Sequence, residues 1–125
     1  MRKQFTALLL APLLLLGCSS TVTNLTPRQQ TRNDAGLYPV EVIWETRQKS
    51  VKHETVKPKV QVGLNFYPMQ RTPLLANRWE TLIPIPVATN YVNYRVRVDF
   101  DYDSIPVARP DSRLSPLYQL QVVDK

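Results

Sequence analysis

From Val92 to Tyr102 the chain alternates without a break. Val92, Tyr94, Val96, Val98, Phe100 and Tyr102 are apolar or aromatic; Asn93, Arg95, Arg97, Asp99 and Asp101 between them are polar or charged. A period of two belongs to the β-strand, whose successive side chains point to opposite faces. The segment therefore reads as a strand with one dry face and one wet face.

Shorter runs repeat the pattern. Tyr38, Val40, Val42 and Trp44 share one face, opposite Glu41 and Glu45, with Ile43 an exception. Val60, Val62, Leu64 and Phe66 lie opposite Lys59, Gln61, Asn65 and Tyr67. Trp79, Thr81, Ile83 and Ile85 alternate with Arg78, Glu80, Leu82 and Pro84, and Tyr118, Leu120 and Val122 with Gln119, Gln121 and Val123. No segment longer than a turn shows the helical period. Pro68, Pro73, Pro106, Pro110 and Pro116 fall between the runs, whereas Pro84 and Pro86 within or beside one predict an edge strand. One-sided alternation predicts antiparallel sheets. Six or seven strands in roughly 100 residues predict an all-β fold, a two-sheet antiparallel sandwich, with a small open β-barrel as the alternative.

Trp44 late in an early strand, and Tyr94-Arg95-Val96-Arg97-Val98 well downstream of it, resemble a fibronectin type III or immunoglobulin-like domain. The resemblance implies a Trp against the core and a central Tyr-x-Val-x-Val strand in the opposite sheet. Ile85, Pro86 and Tyr91 do not reproduce the usual leucine–proline spacing, and the immunoglobulin disulfide is missing. Architecture alone carries over.

The chain opens differently. Arg2 and Lys3 precede an almost wholly apolar stretch from Phe5 to Leu16. As helix this stretch reaches only about 18 Å against a hydrocarbon core of about 30 Å, so it reads as a secretory signal rather than a span. It ends in Leu15-Leu16-Gly17-Cys18, which resembles the lipobox of bacterial lipoproteins, although a residue smaller than Leu16 is more usual. The resemblance implies acylation of Cys18, cleavage just before it, and membrane attachment through the lipid. Ser19, where an Asp would favour retention at the inner membrane, implies the outer membrane. The expected organisation is a signal peptide over 1–17, the lipidated Cys18 with a polar tether over 18–36, and the sandwich over 37–125. Thr21 to Thr26, closed by Pro27, is also a candidate first edge strand.

Composition narrows the chemistry. One Cys rules out an intrachain disulfide framework and a multi-thiolate zinc site, and one His rules out a multi-histidine metal site. With Arg2 and Lys3 removed, the formal charge of +6 becomes +4, from 14 basic and 10 acidic residues. Asp99, Asp101 and Asp103 recur at a spacing of nearly 7 Å along a strand face, too wide to form a cation site alone. His53, with Ser50 near it, is a weak candidate for a hydrolase and reads better as a surface histidine. No metal site and no cofactor is implied other than the lipid on Cys18.

Three segments are candidate contact surfaces. The stretch 47–59 carries Lys49, Lys52 and other cations, suited to anionic lipid or an acidic partner. The stretch 104–116, with Ile105, Arg109 and Arg113, reads as a long proline-stiffened connector able to dock a partner. Loop 68–77, with Leu74 and Leu75, is its rival. The expected role is non-enzymatic, structural or protein-binding, in the cell envelope. An accessory subunit of a secretion or envelope-assembly machine is the alternative. The expected partners are the membrane and an envelope protein, with no nucleic acid and no evident small-molecule substrate.

Overall fold

The computed structural model describes residues 20–125. The segment 1–17 expected as a signal peptide, Cys18 and Ser19 lie outside the described residues. Ten strands follow in order: β1 (Ser20–Asn24), β2 (Gln29–Thr31), β3 (Leu37–Thr46), β4 (Lys57–Val62), β5 (Asn65–Pro68), β6 (Gln70–Arg71), β7 (Arg78–Pro84), β8 (Tyr91–Tyr102), β9 (Arg109–Leu114) and β10 (Tyr118–Val123). Among the described residues, one 3-10 turn spans His53–Thr55.

Two sheets face each other. One has the order β1-β3-β7-β6; the other has β2-β10-β8-β4-β5, with β9 also on β8. Every pairing is antiparallel except β2 with β10. This strand order is that of an immunoglobulin-like Greek key, and the sheets remain a sandwich rather than closing into a barrel.

The alternation supplies the core. Tyr38, Val40, Val42 and Trp44 on β3 are buried against Tyr94, Val96, Val98 and Phe100 on β8; Val60, Trp79, Ile83, Leu120 and Val122 from other strands, and Val51, Val56, Met69 and Ile85 from the connections, complete the cluster. Val92 and Tyr102, at the ends of the long run, are half-buried. The Trp44 and Phe100 rings meet across the sandwich at 5.7 Å, tilted by 40°. Tyr94 packs on Tyr118 at 5.6 Å, and its hydroxyl accepts a bond from Asn24 Nδ2 at 2.9 Å, joining the two sheets.

From Ser20 on, the segment expected as a tether belongs to the fold. β1 pairs with β3 from Ser20↔Thr46 to Asn24↔Val42, and β2 pairs with β10 in the other sheet. Between them the backbone crosses from sheet to sheet at a corner held by side chains. Asn24 Oδ1 accepts from the Thr26 amide at 3.2 Å, Thr26 Oγ1 accepts from the Glu41 amide at 3.0 Å, and the Leu25 amide donates to Glu41 O at 2.9 Å. Polar side chains suit this role because they saturate backbone groups where the ladder is interrupted.

Two other expectations change. The run Val60 to Phe66 is not one strand. Gly63, at φ 58°, opens a two-residue turn between β4 and β5, the place where a tight hairpin calls for glycine. Leu64 is therefore at the turn and Phe66 is exposed, while Tyr67 packs on the core. The stretch 104–116 is not a long loop. It contains β9, which pairs with β8 from Tyr102↔Arg109 to Arg97↔Leu114. Ladder pairing then resumes at Tyr118↔Tyr94, so Ser115, Pro116 and Leu117 face only two residues of β8. That surplus residue is a bulge, a position that tolerates a proline with no N–H to donate. The edge reading of β7 holds for part of its length: β6 covers only Trp79 and Glu80.

The bulge depends on one hydroxyl. Ser115 is buried; its Oγ accepts from the Val96 amide at 2.8 Å and donates to Pro116 O at 2.9 Å. Ser115→Ala leaves the Val96 amide without that partner beside the core. A loss of about 1–3 kcal/mol is expected in urea unfolding, and a Ser115→Thr variant that keeps the hydroxyl should lose less.

Candidate functional site

β3 and β8 lie in opposite sheets but end at the same pole. Thr46 leads into the loop 47–56 and Tyr102 into the loop 103–108. The two loops are bonded to each other. The Asp103 amide donates to Ser50 O at 2.7 Å, the Lys52 amide donates to Asp101 O at 2.8 Å, and Val51 bridges to Tyr102. Thr55 Oγ1 accepts from the Asp101 amide at 2.8 Å and donates to Lys52 O at 2.6 Å, bracing the 3-10 turn against β8.

A third loop, 72–77, joins them. β7 starts at this pole, where the Trp44 amide donates to Asn77 O at 2.9 Å, and Arg71 Nη2 donates to His53 O at 3.4 Å. The Arg71 guanidinium also lies 4.5 Å over the Trp79 ring. Leu74 and Asn77 adopt φ of 66° and 62°, the left-handed region that side chains other than glycine seldom enter. β1 begins here as well: Ser20 faces Thr46, its Oγ donating to Thr46 Oγ1 at 2.9 Å.

The pole combines apolar tips with cations. Leu74 and Ile105 are exposed at 104% and 94%, and Leu75 and Val107 are exposed beside them. The three loops carry Arg47, Lys49 and Lys52 against Glu54 and Asp103, and Lys57, Arg71 and Arg109 flank them. Among the described residues, the ion pairs involve none of Arg47, Lys49, Lys52 or Arg109.

The structure therefore brings together most of the residues that sequence reasoning singled out separately. Ile105 stands at the tip of the 103–108 loop, Arg109 starts β9, and Lys49 and Lys52 lie in the loop alongside. Arg113 does not join them. It sits further down β9, where Nη1 binds Asp111 Oδ2 at 2.7 Å and the guanidinium lies 5.8 Å from the Phe100 ring centroid. Its role there is to cover the edge of the core. His53 is exposed in the 3-10 turn, and the Ser50 hydroxyl accepts from Gln48 Nε2 at 3.0 Å. Cys18 lies outside the described residues, two positions before the start of β1. The sequence pattern gives no sign that loop 72–77 converges with the other two. Strand direction would have revealed it, since β3 and β8 run toward this pole and β7 runs away from it.

The outer face of the second sheet carries a different arrangement. Lys59 Nζ lies 3.0 Å from Asp99 Oδ2, and Arg97 Nε lies 2.9 Å from Asp99 Oδ1. An open groove of about 700 Å³ beside them is lined by Lys57, Asp99, Asp101 and Asp111 among others. Among the described residues, no group of three or more His, Cys, Asp or Glu could hold a metal ion. Partial burial of Asp99 raises its pKa, but the hydrogen bonds from Arg97 and Lys59 and their positive charges outweigh this and hold the carboxyl below its ordinary value.

A depressed pKa gives a stabilisation that is fully present above the unfolded-state value and is lost as pH falls through the lower folded-state value. The gap in urea midpoint between the wild type and Asp99→Asn should therefore be present at neutral pH and close in acid. A gap independent of pH would show that Asp99 contributes through packing instead.

No protein-family model matches the chain, and no curated protein or solved structure matches it at a significant level.

Proposed function

We propose that this chain is a bacterial envelope lipoprotein, acylated at Cys18 and held at the outer membrane. Its immunoglobulin-like sandwich is a non-enzymatic binding or structural module. One observation carries the reading: a charged, apolar leader ends in Leu-Leu-Gly-Cys at the sole cysteine of the chain. The folded domain supports it from the other side. Its first strand starts at Ser20, so a cut before Cys18 would remove the leader and leave every described strand intact.

The non-enzymatic part rests on the side chains. The one histidine is exposed on a turn, and the aspartate with a shifted pKa is committed to Arg97 and Lys59. Exposed loops on a rigid sandwich are a common place for binding residues.

Mass spectrometry of the membrane-extracted protein tests the reading. The expected mass lacks residues 1–17 and includes several acyl chains on Cys18. A chain that keeps residues 1–17, or a Cys18 thiol that reacts freely with maleimide, would overturn it.

A further inference from the structure

We infer that the pole bearing the loops 47–56, 72–77 and 103–108 is a membrane-docking surface that seats on anionic lipid headgroups. The inference rests on the lipoprotein reading and adds an orientation to it. Cys18 is two residues from Ser20, and Ser20 pairs with Thr46 at this pole. Two residues of extended chain reach about 7 Å. A headgroup layer is of similar depth, so a lipid on Cys18 holds this pole at the bilayer surface and leaves no length for the domain to stand away.

The side chains at the pole match that position. Leu74 and Ile105 project fully into solvent from loop tips, where they add nothing to the core. Arg47, Lys49 and Lys52 lie in the 47–56 loop, which is bonded to Asp101 and Asp103 beside Ile105; these charges are drawn to anionic lipid while the apolar tips insert at the acyl boundary. The far pole separates the two contributions. Leu64 and Val87 are also exposed there, at 94% and 80%. The turn 63–64 and the loop 85–90 that carry them contain no charged residue, the cation bonded to that loop, Arg32, is paired with Asp124, and β1 begins at the other end of the molecule. Apolar tips alone would not distinguish the poles; the cations and the start of β1 do.

The test uses the full chain, expressed and processed in bacteria and reconstituted into phosphatidylglycerol vesicles. With Cys18 acylated, Ile105→Cys or Val87→Cys provides a unique thiol for a fluorophore. Lipid-borne nitroxides are expected to quench the label at 105 several-fold more than the label at 87, and aqueous iodide should show the reverse preference. Lys49→Gln with Lys52→Gln should weaken the lipid quenching at 105. Equal iodide access at the two positions would overturn the inference. Protection at 105 in native membranes but not in pure lipid vesicles would also overturn it, because a protein would then cover the pole. A free thiol at Cys18 in the unsubstituted chain would instead remove the anchor itself, an outcome that the two labelled positions do not produce.

Discussion

Phe100→Ala is expected to cost about 3–5 kcal/mol of folding free energy, read from urea or thermal unfolding. Phe100 is 2% exposed, and its ring meets Trp44 from the opposite sheet. Truncation removes both the transfer free energy of the ring and the packing of Trp44, and a sandwich held by ladders on both faces has little freedom to collapse into the space. A domain of this size has a net stability of about 5–15 kcal/mol, so the variant should lie near the limit of folding. The contact also spans the two sheets without a disulfide to share the load. Leu82→Ala on the exposed face of β7 is the control and should stay within about 0.5 kcal/mol. A loss below about 1 kcal/mol for Phe100→Ala would mean that the sheets are held together elsewhere.

Cys18→Ser is expected to abolish acyl labelling and to remove the protein from the outer-membrane fraction. The hydroxyl offers no sulfur for the lipid. Each buried methylene of an acyl chain contributes about 0.8 kcal/mol, and several chains together make attachment effectively permanent. Their loss cannot be replaced by Lys49, Lys52 and the apolar loop tips, which act through weaker surface contacts. Unfolding of the sandwich should be unchanged, because Cys18 precedes every described strand. Unaltered acyl labelling or outer-membrane retention would sink the lipoprotein reading.

The sequence shows the core more clearly than the surface. Tyr94, Val96, Val98 and Phe100 are legible because β8 is central and half dry, so burial imposes strict alternation on it. The turn at Gly63 is harder to see. Alternation in sequence continues through a two-residue turn even though the chain reverses, and Leu64 and Phe66 keep the period without the burial. β9 is hidden for the opposite reason. At the sheet edge its positions opposite Phe100 and Val98 are Asp111 and Arg113, charged residues that protect an edge and erase the apolar signal. β1 and β2 are short and polar because β3 and β10 supply the ladder. The candidate pole is the least legible feature. Its three loops are far apart in sequence and meet only because of the direction in which each strand runs.

The pairing of the first strands has a mechanical consequence. Ser20 and Val123 lie at opposite ends of the sandwich, since β1 starts at Thr46 and β10 ends beyond Tyr91. A pull between them acts along the strands, and β8, with its 12 residues, sets the distance at about 40 Å. β2 runs parallel to β10, so such a pull slides the two past each other and strains all their hydrogen bonds together instead of opening them one at a time. A domain tethered at its first strand and loaded from its far end would resist in shear, the direction in which a sheet is strongest.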